Sequence, residues 1–500
     1  MMRYVTVPQE LPLSEIRAGD ACFSPGRYVR FRPPKVSMKS NFVPLDKLIV
    51  LRDSRIVVKK DKTYQYAEIG DIDVGTGGIV FRTMLGYRLP TNRPSVAQYG
   101  DILVSTVRTY RKGIGYVADD GDNLVTTNAV LNVCGVTDFA PNLTLLYVYS
   151  FLRTDFFVEQ VWSMLNRGLY PRMDKGAIDK ILIPVSYDER VIRYVSVLMQ
   201  AIVEKEKALR GKSDLIHELI QSELKENQKR HQFQYLLPSI SEVLALGRLD
   251  AAIHGSECKS KIWLIHNYLS GFETPKEAGF IVTPGPSLEI KILRTRINSE
   301  QWRKDYYFLI TPTNISEWGT IAKEQFIGTA KHLPVIKKGD IIFGESGSHR
   351  SLVFLGVPYN AVVTTNAHGL YARRNDENIA RAVFFRCIFD WLYKSGVIDL
   401  LSVGGSGRHF SPEYFEMLPI PKFPEDKQYE IARLYHHEAP PPLGKSSLDT
   451  FTDWHRRWNT ELGIWELDRE MKALHRTLSE VQEKIIEGKT VNVPLLETIQ

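Results

Sequence analysis

GDILVSTVR at residues 100–108 returns as GDIIFGESG at residues 339–347. Two further echoes keep step with it: VTTNAVL from Val125 with VTTNAHG from Val363, and KILIPV from Lys180 with MLPIPK from Met417. The offsets for Gly100/Gly339, Thr126/Thr364 and Pro184/Pro421 are 239, 238 and 237. Separate segments that hold nearly one register mark a tandem duplication of a long unit, not a short-period solenoid. A unit repeated with one job per copy suggests a target in two parts.

Outward from the repeat, DILVSTV and DIIFGES have strand composition after a Gly-Asp turn. LTLLYVYSFLRTDFFVEQVW (residues 143–162) and NIARAVFFRCIFDWLYKSGVI (residues 378–398) are apolar at helical spacing and hold matching places in the two copies. Each copy therefore reads as an α+β unit. Just before its Ile-Pro strand stands a Gly-rich, basic, aromatic turn: NRGLYPRMDKG from Asn166 and GGSGRHFSPEY from Gly404. Glycine lets a backbone approach a ligand closely, and Arg and His supply donors for a phosphate or a base edge. Thr126, Thr127 and Asn128, with Thr364, Thr365 and Asn366, are expected to serve the fold, because short polar side chains bond nearby backbone.

The segments between and after the units read as long helices. Val191, Val195, Leu198, Ile202, Leu209, Ile216 and Leu219 recur at alternating steps of three and four, with Lys205 and Lys212 filling the gaps of the same seam. Pro184 and Pro238 bound a proline-free stretch that predicts a helix of about 45 residues, ~65 Å long. Ile464, Leu467, Met471, Leu474, Leu478, Val481 and Ile485 repeat the alternation after the second unit. Two such stripes in one chain are expected to pair as an antiparallel coiled coil that sets the distance between the units. The second helical region is interrupted by Pro440, Pro441 and Pro442, which read as an inserted loop, with Trp454, Trp458 and Trp465 beside it as either a local core cap or a docking surface for a partner. The division expected is 1–185 for the first unit, 186–235 for the first spacer helix, 236–422 for the second unit and 423–500 for the second helical region.

Five hundred residues, 43% of them hydrophobic, suffice for two ordinary cores. Cys22, Cys134, Cys258 and Cys387 are far apart with no C-x-x-C pair, against a disulfide framework or a Cys-based zinc site. No stretch approaches the roughly 18 apolar residues of a membrane helix, so a soluble, cytoplasmic protein is expected. The net charge of +6 is uneven: +6 over residues 1–185, +1 over 186–235, +3 over 236–422 and −4 over 423–500. Basic units suit phosphates, whereas an acidic tail suits another protein.

In order, the chain has an Arg followed closely by Asp-Ala near each unit's start (RAGDA from Arg17, RLDAAIH from Arg248), GDIL or GDII, TTNA, a Gly-Arg turn, an Ile-Pro strand and a long helix. This order resembles the DNA-specificity subunit of type I restriction-modification systems, over nearly the whole chain. The resemblance implies two target-recognition domains in inverted orientation, separated by an antiparallel helical pair. It further implies a non-catalytic role: binding double-stranded DNA and directing methyltransferase subunits, two of them, and restriction/translocase subunits to a split sequence. No cofactor is expected on this chain; S-adenosylmethionine, Mg and ATP are expected on the partner subunits. The first opening, SEIRAGDACFSPGRY, is only partly like the second, and the proline-bearing insertion departs from the pattern.

The candidate DNA-reading residues are those of the two post-strand loops and the two Gly-rich turns. They are Arg108, Tyr110, Arg111 and Lys112 with Arg167, Tyr170 and Arg172 in the first unit, and Ser348, His349 and Arg350 with Arg408 and His409 in the second. A self-contained enzyme fits less well. Neither RPPK at Arg32 nor APPPLG at Ala439 supplies the Asn/Asp-Pro-Pro-aromatic tetrapeptide of an amino-methyltransferase, and Gly444-Lys445-Ser446 lacks the glycine of a phosphate loop. His217-Glu218 has Gln221 where a zinc protease has its second His. Asp250, Glu257 and Lys259 have a nuclease-like spacing that also occurs elsewhere in the chain. The alternatives to a specificity subunit are a DNA-processing enzyme with an unrecognised site and a duplicated assembly protein.

Overall fold

The computed structural model describes residues 3–18, 28–34, 40–164, 172–173, 175–230, 232–345, 349–363, 369–374, 378–404, 409–444 and 446–494. The chain divides into two compact units: residues 1–208, 440–460 and 469–500 in the first, and residues 209–439 and 461–468 in the second.

The first unit places Ile49–Leu51, Val130–Val136, Ile102–Ser105 and Ile114–Tyr116 side by side in one antiparallel sheet. A second sheet runs Arg82–Leu85, Thr63–Ala67, Leu124–Thr126, Ser95–Val96, with Thr63–Ala67 and Leu124–Thr126 parallel. The Ile-Pro strand Leu182–Ser186 pairs with Ser40–Pro44. The second unit repeats the plan. Phe280–Pro284, Gly369–Arg374, Ile341–Gly344 and Ser351–Val353 form the first sheet in the same order. Phe326–Gly328, Tyr307–Ile310 and Ala361–Val363 reproduce the centre of the second, including its one parallel pair. Ile420–Pro421 pairs with Phe272–Glu273.

The repeated Gly-Asp is a repeated turn. Gly100 has φ 90° and Gly339 φ 92°, a left-handed conformation that only glycine adopts readily. The next residue, Asp101 or Asp340, is buried and accepts the backbone N–H of the residue three before it, Gln98 at 2.9 Å and Lys337 at 2.7 Å. The strand that follows is apolar on both faces and wholly buried in both units. Helices Leu145–Leu152 and Asp155–Met164 in the first unit, and Ile379–Lys394 in the second, cover these sheets. Both helical segments are anchored by an arginine. Arg153 donates to the Ile114 carbonyl at 2.7 Å and Arg386 to that of Ser351 at 3.3 Å. Each guanidinium lies against a glycine of positive φ, Gly77 or Gly319, where a Cβ would collide with it.

The first long helix is Glu189–Glu226, 38 residues and so shorter than the proline-free stretch allowed. Its start belongs to the first unit and its remainder to the second. Val191, Val195, Leu198, Ile202, Leu209 and Ile216 are buried as the seam predicts, but Leu219 is half-exposed, and Ile220 and Leu224 are buried in its place. The apolar stripe has drifted as an unsupercoiled 3.6-residue helix does relative to a 3.5-residue repeat. In the second helix, Ile464–Ile486, every seam residue is buried except the half-exposed Leu474. Within the first unit the two helices run antiparallel: Val191 shares a cavity wall with Ile485, Met199 with Leu478, and Lys205 feels the charge of Glu470.

The proline-bearing insertion is more than a loop. It continues into a helix, Phe451–Glu461, that lies parallel to the start of the first long helix. Asp449 pairs with Arg193, Thr452 with Gln200 at 3.3 Å, Arg456 with Glu204 at 3.1 Å and Asn459 with Lys205 at 2.7 Å. Trp454 and Trp458 meet edge to face at 5.3 Å in the first unit. Trp465 is not part of that cluster, since it packs on the Phe308 core of the second unit. Cys134, Cys258 and Cys387 are free thiols, and among the described residues no helix is long and apolar enough to cross a membrane.

Candidate nucleic-acid interface

The loop leaving Ile102–Ser105 is fixed by its own short side chains. Thr109 Oγ1 donates to the Ser105 carbonyl at 2.6 Å, Ser105 Oγ to that of Val107 at 2.7 Å, and Thr106 Oγ1 to that of Ala129 at 2.9 Å. Arg108 and Lys112 bracket a single turn of 3-10 helix, Thr109–Arg111, and both adopt left-handed backbone, φ 50° and 61°. Non-glycine residues there are strained, and the surrounding bonds hold them. Arg111 stands exposed at the apex. Lys112 pairs with Asp155 at 2.7 Å, and Tyr110 sets its ring edge-on to Trp162 at 4.9 Å. These two contacts fix the loop against the covering helix, with Arg108 half-buried and Arg111 exposed.

The first Gly-rich turn returns to this loop. Met173 N–H donates to the Thr106 carbonyl at 2.8 Å, and Arg172, exposed, is bridged to Val107. The second unit repeats the junction: Phe410 N–H donates to the Glu345 carbonyl at 2.7 Å, and His409, exposed, is bridged to Val403. Main chain thus ties the exit of the strand to the end of the Gly-rich turn in each unit. Arg167, Tyr170, Ser348 and Arg408 lie outside the described residues, as do Thr364, Thr365 and Asn366.

His349 requires correction. It is 1% exposed, and its ring nitrogens meet the Gly344 carbonyl at 3.0 Å and Ser402 Oγ at 3.2 Å. Both polar ends of the ring are used inside the unit, so this side chain ties Gly344 to Ser402 in the interior. Its neighbour Arg350 is exposed and sends Nη1 to the Ile315 carbonyl at 3.3 Å. The Thr-Thr-Asn motif serves the fold where it is described: Thr126 Oγ1 donates to the Ala67 carbonyl at 2.8 Å, and Thr127 Oγ1 accepts from Ala129 N–H.

Outside the motifs, the structure shows Arg55 and Arg93 exposed near the third residue of the Thr-Thr-Asn motif. Asn128 is exposed and accepts from Ser95 Oγ at 3.0 Å, and Ser95 is bridged to Arg55. Arg55, bridged to Ser95, and Arg93, two residues before Ser95, are exposed. A signal existed: the repeat register runs back to Pro94 and Pro334, an offset of 240, with exposed Arg93 and His332 just upstream. The nuclease-like trio does not converge. Asp250 pairs with Arg248, Glu257 with Lys261 and Lys259 with Glu242. Among the described residues no three His, Cys, Asp or Glu side chains gather as metal ligands would.

No family model matches the chain, and no curated protein matches it. Solved structures similar to it include the HsdS subunit from Thermoanaerobacter tengcongensis, 16% identical over 92% of this chain and 99% of that one, with a TM-score of 0.31. A chain from a structure on complex assembly and conformational transition of the type I R-M system is 15% identical over 92% and 100%, also at 0.31. The S subunit of the type I restriction-modification system of M. genitalium is 12% identical over 92% and 100%, at 0.41. All three come from type I restriction-modification systems.

Proposed function

We propose that the protein is a sequence-specific DNA-binding specificity subunit. Each unit reads one block of a split duplex target, and the chain directs methyltransferase and restriction subunits to it. The observation that carries the reading is the duplicated junction: a loop and a Gly-rich turn, both with exposed donors, bonded through main chain at the same place in each unit. Guanidinium groups on a rigid loop suit a duplex, where some position the backbone through phosphates and others bond guanine O6 and N7 in pairs.

The helical segments act as the spacer, pairing as an antiparallel coiled coil, and one methyltransferase subunit docks beside each unit. The antiparallel order within the first unit supports this, as does the near-neutral to acidic charge of these segments. Methyl transfer and cleavage belong to the partners, with their S-adenosylmethionine, Mg and ATP. The test is methylome sequencing of a host carrying the complete system. A two-block motif with unread base pairs between the blocks is expected, since half-site spacing mirrors the distance between reading surfaces. A contiguous motif as the only modified sequence rejects the proposal. The purified chain alone should bind DNA with a steep salt dependence and neither methylate nor cleave it.

A further inference from the structure

The two anchoring arginines have different surroundings. In the second unit Asp390, one helical turn after Arg386, lies 3.3 Å from the Arg386 guanidinium, 3.0 Å from His217 Nε2 and 3.2 Å from Lys394 Nζ. Those groups outweigh its burial and hold its carboxyl below the usual range. In the first unit the residue one turn after Arg153 is Phe157, apolar and buried. Arg153 is held by three neutral carbonyls, of Ile114 at 2.7 Å, Val74 at 3.2 Å and Gly75 at 2.6 Å. His475, from the second long helix, shares its surroundings, as His217 shares those of Arg386.

Arg153 and His475 line a cavity of about 540 Å³ within the first unit, a volume in the range of small-molecule sites. The carboxylates on its wall are already engaged. Glu159 accepts the backbone N–H groups of Arg3 and Tyr4, Asp155 pairs with Lys112 at 2.7 Å, and Glu483 with Arg3 at 3.4 Å. Gln482 also lines the cavity. It is 5% exposed, and its Nε2 has no hydrogen-bond partner. A buried donor and a guanidinium bonded to neutral carbonyls both favour an acceptor that carries a negative charge.

We infer that this cavity binds a small anion, a carboxylate or a phosphate, held by Arg153 and the Gln482 amide where the second unit uses its own Asp390. This goes beyond DNA reading and is tested without DNA. The full chain is titrated with inorganic phosphate and, separately, with acetate at constant ionic strength. The His475 imidazole is followed by NMR, its signal assigned with His475→Gln. Burial, and then Arg153, push that imidazole down to about 4, so a bound anion should give a saturable shift and raise its pKa toward the ordinary value.

Gln482→Leu should weaken binding about tenfold or more by removing the amide donor, and should leave the unit folded. Gln482→Glu, which supplies a carboxylate of its own, should abolish binding. Saturation by phosphate alone assigns a phosphate ligand, by acetate alone a carboxylate, and by both a general anion site. No saturable shift with either anion, or equal affinity in wild type and both variants, overturns the inference and leaves water as the occupant.

Discussion

The Lys205 ammonium lies 2.7 Å from Asn459 Oδ1 and 5.2 Å from the centre of the Trp458 ring, with its side chain fully enclosed. The insertion helix therefore closes over a cation of the first long helix with an amide and an aromatic face, not with a carboxylate.

Burial pushes the Lys205 ammonium down from 10.5 to about 8, with Glu470 opposing it. Between these values the unfolded chain holds more protons than the folded one, so this group's contribution to stability rises with pH across that window. Lys205→Met should stabilise the protein at pH 7 by roughly 1–3 kcal/mol, the lysine penalty less the cost of an unpaired Asn459 carbonyl. The gain should shrink from pH 8 toward 10.5. Urea unfolding of both proteins at pH 7, 8.5 and 10 measures it, and a pH-independent difference contradicts the assignment.

Asp101 accepts from Gln98 N–H and takes both Nε and Nη2 of Arg52, at 2.9 and 3.0 Å. Asp101→Ala removes the acceptor of the turn and leaves Arg52 half-buried beside it. A loss of roughly 3 kcal/mol is expected in the thermal or chemical unfolding of the first unit. Wild-type stability would mean that the turn does not depend on this carboxylate.

Arg108→Ala with Arg111→Ala should weaken binding to the first DNA block and lower the salt slope by about one for each phosphate that is no longer neutralised. Arg350→Ala should act on the second block alone. His349→Ala should instead lower stability, because it leaves the Ser402 hydroxyl and the Gly344 carbonyl without their ring partner. Titration against DNAs altered in one block at a time, with unfolding curves alongside, separates these outcomes. Unchanged affinity and preference in both arginine variants would place the reading surface elsewhere.

The seam is uneven, so charges placed in it should act unequally. Leu198→Asp buries a carboxylate at a site 1% exposed and should cost several kcal/mol. Leu474→Asp, at a half-exposed site, should cost roughly 1 kcal/mol. Unfolding measurements and co-purification with methyltransferase subunits check both, and equal effects would mean the helices pack differently in solution.

The duplication was legible because a Gly-Asp turn, an apolar strand and an Ile-Pro strand each leave a local mark at a fixed offset. The same residues prove to make the same bonds: Asp101 and Asp340 to a backbone N–H, Met173 and Phe410 to the loop. The buried seam of the long helices was legible for the same reason. What escaped were properties set by distant partners. His349 has the composition of a reading residue, and only Gly344 and Ser402 show that its ring faces inward. Leu219 fits the alternation, but the helix turns it away from the core. Arg55 is brought to Ser95, and Ser95 to Asn128, by contacts that no local pattern encodes. The prolines mark the insertion, whereas its helix is fixed by Asp449, Thr452, Arg456 and Asn459 reaching residues some 250 positions earlier.

The first unit is not finished by the residues that begin it. Ser40 Oγ donates to the Ile485 carbonyl at 2.9 Å, and Arg3 pairs with Glu483, so residues 469–494 complete a body whose sheets were made hundreds of residues earlier. On the ribosome the order of completion is therefore reversed. The second unit has all of its parts once Asp468 has emerged, while the first must wait, with its helix seam uncovered, for the segment made after it. A stalled or truncated chain would thus be damaged first in the part that was synthesised first.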